Sequence, residues 1–341
     1  MKFPKIAHVK KILKNKLTYL CLALLLVGLI VGLVIGYMLP RDFSDLTAPA
    51  EFHAGTADGK LINPLYECNT GQVYGQRQLS SLQSNINTYV NQITANNSVT
   101  SAAIYFRDLN NGKWFGINEH DDFAPSSLLK VPVMMAYYKQ AEKDPSILSK
   151  KITYSQVPEG LIPQNFKTKN PIVLGQTYTV EQLIEKMIIA SDNAALGLLE
   201  DNIDNRKIDQ VTLDLGIITA TSSTPDDFMD VSEYSTLFRV LYYSTYLNDQ
   251  YSEKALELLS QAEFNQGLTA LLPKDITIAH KFGEREVINV IHQLHDCGII
   301  YYPNHPYLLC IMTKGPDFND LTTTIQQISK KIYDNVVKTY H

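Results

Sequence analysis

An uncharged, almost wholly apolar run from Leu17 to Leu39 limits this chain more than any other feature. At about 1.5 Å per residue, a helix of that length crosses a bilayer core of roughly 30 Å. Residues 1–16 carry Lys2, Lys5, Lys10, Lys11, Lys14 and Lys16 and no acid, against a lone Arg41 just after the run. That asymmetry predicts the N-terminus inside and the rest of the chain outside. Tyr19 and Tyr37 stand near the two ends, where interfacial aromatics belong. A cleaved signal peptide is the competing reading. Its apolar region is usually about 7–15 residues, shorter than this one, and the tripeptide Ala48-Pro49-Ala50 lies well past the run. The expectation is a cytoplasmic tail (1–16), a retained transmembrane anchor (17–39), a stalk (40–65) and one extracytoplasmic domain (66–341), held at the cell membrane by a single pass. Gly28, Gly32 and Gly36 recur every four residues along the anchor. They are the feature on which helix-mediated self-association would rest, although glycine is also simply common in membrane helices.

Outside the anchor the composition is that of a globular protein, with 45% hydrophobic and 19% charged residues and a net charge of -5. No basic stripe follows the N-terminus, so no nucleic-acid partner is expected. Of the four cysteines, Cys21 lies in the apolar run, and Cys68, Cys297 and Cys310 form no C-x-x-C pair. At most one disulfide can form among those three; which one stays open, and free buried thiols are an equal reading. His292, His295, Asp296 and Cys297 match no standard ligand spacing, so neither metal nor cofactor is expected.

Hydrophobic periodicity and turn residues predict a helix near 78–95, then strands at 100–109 and 113–118 joined by Asn110-Asn111-Gly112, a hairpin signal. A helix from Ser126 to Lys143 follows. Next comes a mostly helical block over 179–262, opened by a capping box of Thr179 and Gln182. Strands at 276–282, 297–302 and 307–313 and a helix over 317–338 finish the chain. This order suggests an α+β domain: a five-stranded antiparallel sheet with terminal helices on one face and a helical subdomain on the other.

Three short motifs carry chemistry. In Ser127-Leu128-Leu129-Lys130 the first and last residues share a helix face, so the lysine can reach the serine hydroxyl. A neutral lysine there is a usable base. Ser191-Asp192-Asn193 lies between two apolar helices, where polar side chains need a reason; a capping turn is one and catalysis another. Lys281-Phe282-Gly283 ends a strand, with a lysine suited to a substrate carboxylate and a glycine that lets a ligand lie close. Each motif alone is weak.

Together and in this order they resemble the S-x-x-K, S-D-N and K-T-G set of class A β-lactamases and D,D-peptidases, the penicillin-recognising serine hydrolases. The resemblance spans roughly 75–338 and includes Phe123–Val131 and the stretch from Thr179 to Ala195. It implies a β-lactamase-like fold and acyl-enzyme formation with β-lactams or peptidoglycan stem peptides. By the same resemblance Ser127 is the nucleophile and Lys130 its base. Ser191 passes a proton to the leaving nitrogen, Asn193 holds Lys130 and the substrate amide, and Lys281 binds the substrate carboxylate. Backbone N–H groups of Ser127 and Glu284 would form the oxyanion hole, beside Gly283 and Arg285 in the substrate site.

Two departures stand out. Phe282 replaces the family's hydroxyl residue, and Arg285 is the candidate to compensate. The stretch Ile217 to Asp230 has no glutamate to activate a deacylating water; its only acids are Asp226, Asp227 and Asp230. Efficient β-lactamase activity is therefore not expected. A non-catalytic module binding peptidoglycan or a partner through the same cleft is the alternative. A glutaminase on a related fold is a third, and the anchor argues against it.

Overall fold

Gly112 at φ +71° lets the chain reverse after Asn110-Asn111, and Asp108 steadies the turn by accepting the N–H groups of Asn110 and Asn111. The strands on either side, β1 (Ser101–Asp108) and β2 (Trp114–Ile117), pair antiparallel with Ile104 opposite Ile117. The hairpin signal is thus realised at the expected residues.

The computed structural model describes residues 59–64, 76–158, 164–219, 223–287 and 291–340, and, further upstream, only Leu24, Leu26, Val27 and Gly28, which are helical. The chain divides into residues 1–50 and 51–341. The tail, most of the anchor and most of the stalk lie outside the described residues. Among the described residues, no helix is long and apolar enough to cross a membrane. Residues 60–62, read above as stalk, instead belong to the folded domain: their backbone N–H groups all donate to the Glu253 carboxylate at 2.9–3.0 Å, and Ile62 is buried.

After the hairpin come a 3-10 turn (Ser126–Leu129) and helix α2 (Lys130–Ala141), α1 being the opening helix Gln76–Ala95. A two-stranded ribbon, β3 (Lys151–Thr153) with β4 (Thr177–Thr179), precedes five helices: α3 (Val180–Ile189), α4 (Asn193–Glu200), α5 (Asn205–Asp214), α6 (Val231–Tyr242) and α7 (Asp249–Ser260). Strands β5 (Ile278–Val287), β6 (Ile291–Ile300) and β7 (Tyr307–Gly315) and helix α8 (Phe318–Tyr340) close the chain. The Thr179–Gln182 capping box forms at the start of α3.

The main sheet has the order β2-β1-β7-β6-β5, antiparallel throughout. Strand period two sorts its side chains. Ala102, Ile104 and Phe106 of β1, with Leu309 and Ile311 of β7, pack with α1 and α8. Ala103 and Tyr105, with Leu308, Cys310 and Met312, pack with the helical block. Both faces are covered, which is why these strands read as continuous apolar runs rather than alternating ones. Strands β5 and β6 are longer than their expected 276–282 and 297–302. Their added residues, Gly283–Val287 and Ile291–Asp296, are mostly polar and carry no apolar strand signal, but their backbones pair from Gly283↔His295 to Val287↔Ile291. Cys297 and Cys310 lie directly opposite each other on β6 and β7 and form a disulfide, which closes the choice left open among the three cysteines.

Candidate active site

The nucleophile turn is built against the sheet. Residues 126–129 form one 3-10 turn, and Lys130 opens α2. Pro132 falls within the first turn of that helix, where a missing N–H costs no intrahelical bond. Ser126, just before the nucleophile, has φ +51°, and Ser191 has φ +53°. Two non-glycine residues in the left-handed region, both at the site, mark backbone held in place by its surroundings.

What holds it was not visible in the sequence. The Ala124 N–H donates to Gln293 Oε1 at 3.0 Å, and its carbonyl accepts from His295 Nε2 at 3.0 Å. The Thr313 N–H donates to His295 Nδ1 at 3.3 Å, so the ring is neutral with its proton on Nε2. Burial pushes the His295 pKa down to about 4. Tyr234, wholly buried, donates to the Leu128 carbonyl at 3.1 Å. His295 drew attention above only as a metal ligand. Among the described residues no group of side chains could hold a metal ion; His295 clamps the nucleophile turn, and Asp296 accepts from His280 and from the Leu268 N–H.

Five of the expected residues converge. Lys130 Nζ lies 2.8 Å from Ser127 Oγ, 2.6 Å from Asn193 Oδ1, and 2.8 and 3.1 Å from the carbonyl and hydroxyl of Ser191. Lys281 Nζ is 2.9 Å from Ser191 Oγ and 2.9 Å from the Phe282 carbonyl. The Ser191 hydroxyl thus stands between two buried lysines. Burial pushes Lys130 down to about 7. Burial, and then the charge on Lys130, hold Lys281 well below the usual lysine range. As a neutral amine, Lys130 donates its two protons to the Ser191 carbonyl and to Asn193, which only accept there, and turns its lone pair to the Ser127 hydroxyl. Asp192 plays a different part. It caps α4 by accepting the N–H groups of Ala194 and Ala195, and it accepts the Ile172 N–H.

On the substrate side the structure corrects one expectation and adds to two. Gly283 has a use within the protein: a Cβ there would lie 2.7 Å from the Pro125 carbonyl and 2.9 Å from Leu128, so glycine lets β5 approach the nucleophile turn. Arg285 does not stand in for the missing hydroxyl. Its guanidinium ends on Asp226 at 2.5 Å. The Glu284 side chain, given no role by sequence, accepts the N–H groups of Asn165 and Phe166 at 3.1 Å each. Phe282 is buried, stacked on Phe264 with ring centroids 4.1 Å apart, and Lys281 Nζ lies 4.4 Å from its ring centre.

The sheet with helices on both faces and the Ser/Lys pair at its edge define a serine hydrolase of the penicillin-recognising kind. Residues 82–336 match the beta-lactamase enzyme family, and the chain belongs to that family. Among solved structures, a mutant of PBP-A seen as an acyl-enzyme with penicillin G is similar at 23% identity. The likeness covers 76% of this chain and 97% of that one with a TM-score of 0.64. A β-lactamase from Chitinophaga pinensis is 18% identical over 74% of this chain and 99% of that one, TM-score 0.64. The TLA-3 extended-spectrum β-lactamase gives 18%, 74%, 99% and 0.64 in the same order. At such identities the likeness is one of fold. No curated protein matches the chain.

Proposed function

We propose that the chain is a membrane-anchored, extracytoplasmic acyl-enzyme hydrolase acting on β-lactams or peptidoglycan stem peptides. The observation that carries the reading is the 2.8 Å contact between Lys130 Nζ and Ser127 Oγ, made by a buried lysine with a pKa near 7. In acylation, Ser127 Oγ bonds to the substrate carbonyl carbon while its proton passes to the neutral Lys130 amine. The C–N bond then breaks as Ser191 gives its proton to the leaving nitrogen. Lys130, 3.1 Å away, returns a proton to Ser191. The backbone N–H groups of Ser127 and Glu284 would receive the developing oxyanion; β5 is the free edge of the sheet, which suits that task.

Deacylation is expected to be slow. Each acid of the 217–230 stretch is engaged elsewhere: Asp226 with Arg285, Asp227 with Lys314 and Gln293, and Asp230 with His120 and the Glu233 N–H. The membrane part of the proposal rests on the Leu17–Leu39 run and the lysines before it; extraction of the chain from membranes by alkaline carbonate would refute it. The test of the chemistry is intact mass spectrometry of the full chain with a penicillin over time, beside Ser127→Ala. A persistent adduct on the wild type alone is expected. No adduct with the drug left intact would sink the proposal.

A further inference from the structure

We propose that the Glu284 carboxylate sets substrate charge, turning the cleft away from acyl donors that carry a carboxylate beside the scissile bond and toward neutral ones: an internal or amidated peptide bond, or an ester. The inference rests on the acylating function proposed above and names the substrate class of that same site.

The first observation is where Glu284 sits and what it holds. It lies on the free edge strand, three residues after Lys281. Its two oxygens accept the backbone N–H groups of Asn165 and Phe166, while Gln164 Nε2 donates to the Ser191 carbonyl at 3.0 Å. Three consecutive residues thus tie the Ser191 turn to β5, the two sides between which a substrate must lie. The segment is seated by Phe166, whose ring stands edge-on to Phe264 at 5.0 Å and to Phe282 at 6.0 Å. Phe282 therefore has a use in place of the family's hydroxyl: it anchors this crossing segment. Burial raises the Glu284 pKa above the ordinary carboxylate value, while the two N–H groups and the nearby lysines pull it back down; a carboxyl group fed by two N–H donors is in the bonding pattern of the ionised form.

The second observation is that the cations a substrate carboxylate would seek are already committed. Lys281 Nζ is bound to the Ser191 hydroxyl and the Phe282 carbonyl. Arg285 ends on Asp226. Lys130 is surrounded by Ser127, Ser191 and Asn193. Lys167 and Lys169 line the cavity on the far side of Phe166 and Phe282, whose walls include none of Ser127, Lys130 and Ser191. The hydroxyl that would have met the carboxylate is absent. A carboxylate brought to this edge meets the Glu284 carboxylate and, among the described residues of the cleft, cations that already have acceptors, whereas a neutral donor meets only a hydrogen-bond acceptor.

A penicillin and its methyl ester differ only in that carboxylate, so they isolate the effect. Acylation rate constants of the full chain are read by intact mass for both, each relative to the donor's own alkaline hydrolysis. The wild type should favour the ester by about tenfold or more, a preference that shrinks as salt is raised. Glu284→Gln should bring the ratio close to one by accelerating the acid. Phe166→Ala keeps the charge and removes the anchor of the crossing segment, so the ratio should stay. The proposal is overturned if the wild type takes acid and ester equally, if Glu284→Gln leaves the ratio unchanged, or if Phe166→Ala removes it as fully. Absence of any adduct with both donors would instead remove the acylating function itself, and this inference with it.

Discussion

Lys130 has four polar neighbours within 3.1 Å and almost no contact with water. Its chemistry follows from that desolvation, because burial disfavours the ammonium form. With its pKa lowered from 10.5 to about 7, the amine becomes a base as pH rises through that value. The acylation rate constant should therefore climb with pH along a limb with a midpoint near 7, measured with one donor across a buffer series. Lys130→Arg keeps a charge that cannot be shed and should lower acylation by at least about a hundredfold. Ser126 tests a different point. Its φ of +51° costs a non-glycine residue about 1 kcal/mol, so Ser126→Gly should raise the thermal midpoint by roughly 2–4 °C. A fall in the midpoint would show that the serine side chain holds the turn more than its backbone strains it.

At the scale of elements, the site depends on how closely β5 and β6 approach the nucleophile turn. A methyl group at Gly283 would meet the Pro125 carbonyl and Leu128. Gly283→Ala should thus destabilise by about 1–3 kcal/mol and slow acylation, read by denaturant titration and by adduct formation. From β6, His295 donates to the Ala124 carbonyl while accepting the Thr313 N–H, and only the neutral ring can do both. Its folded pKa of about 4 lies below the ordinary 6.5. Between those values the unfolded chain binds the proton that the folded chain refuses. The contribution of His295 is whole above about 6.5 and is lost as pH falls toward about 4. The wild type should lose more stability over that window than His295→Gln does, in matched urea titrations. Helix α4 was easier to foresee, since Asp192 accepts the first N–H groups of a helix that follows it directly.

Over the whole molecule, the two hydrophobic layers on either side of one sheet were legible as the order of strands and helices, because that order limits how faces can be covered. The Cys297–Cys310 bridge ties two central strands. Such a bridge would persist in the extracytoplasmic setting proposed above. Replacing both cysteines by alanine should cost about 3 kcal/mol for a loop of this length, measured as a shift in the denaturation midpoint. An unshifted midpoint would mean that the strand pairing alone supplies that constraint.

The amino-acid sequence by itself determined the parts encoded within a few residues: the Ser127/Lys130 spacing, the capped turn at Ser191–Asn193, the Asn-Asn-Gly hairpin and the short apolar runs of the strands. Each depends on neighbours a turn or a pleat away. Only the tertiary structure decided the rest. Gln293 and His295 became the clamp on Ala124, Gly283 the seat of the nucleophile turn, and Glu284 the partner of Asn165 and Phe166, all through contacts more than a hundred residues apart in the chain. The same holds for the two lysines. A lysine's sequence position does not tell how much water surrounds it, and only the packing of α2, α4 and β5 around one hydroxyl removes that water and lowers its pKa.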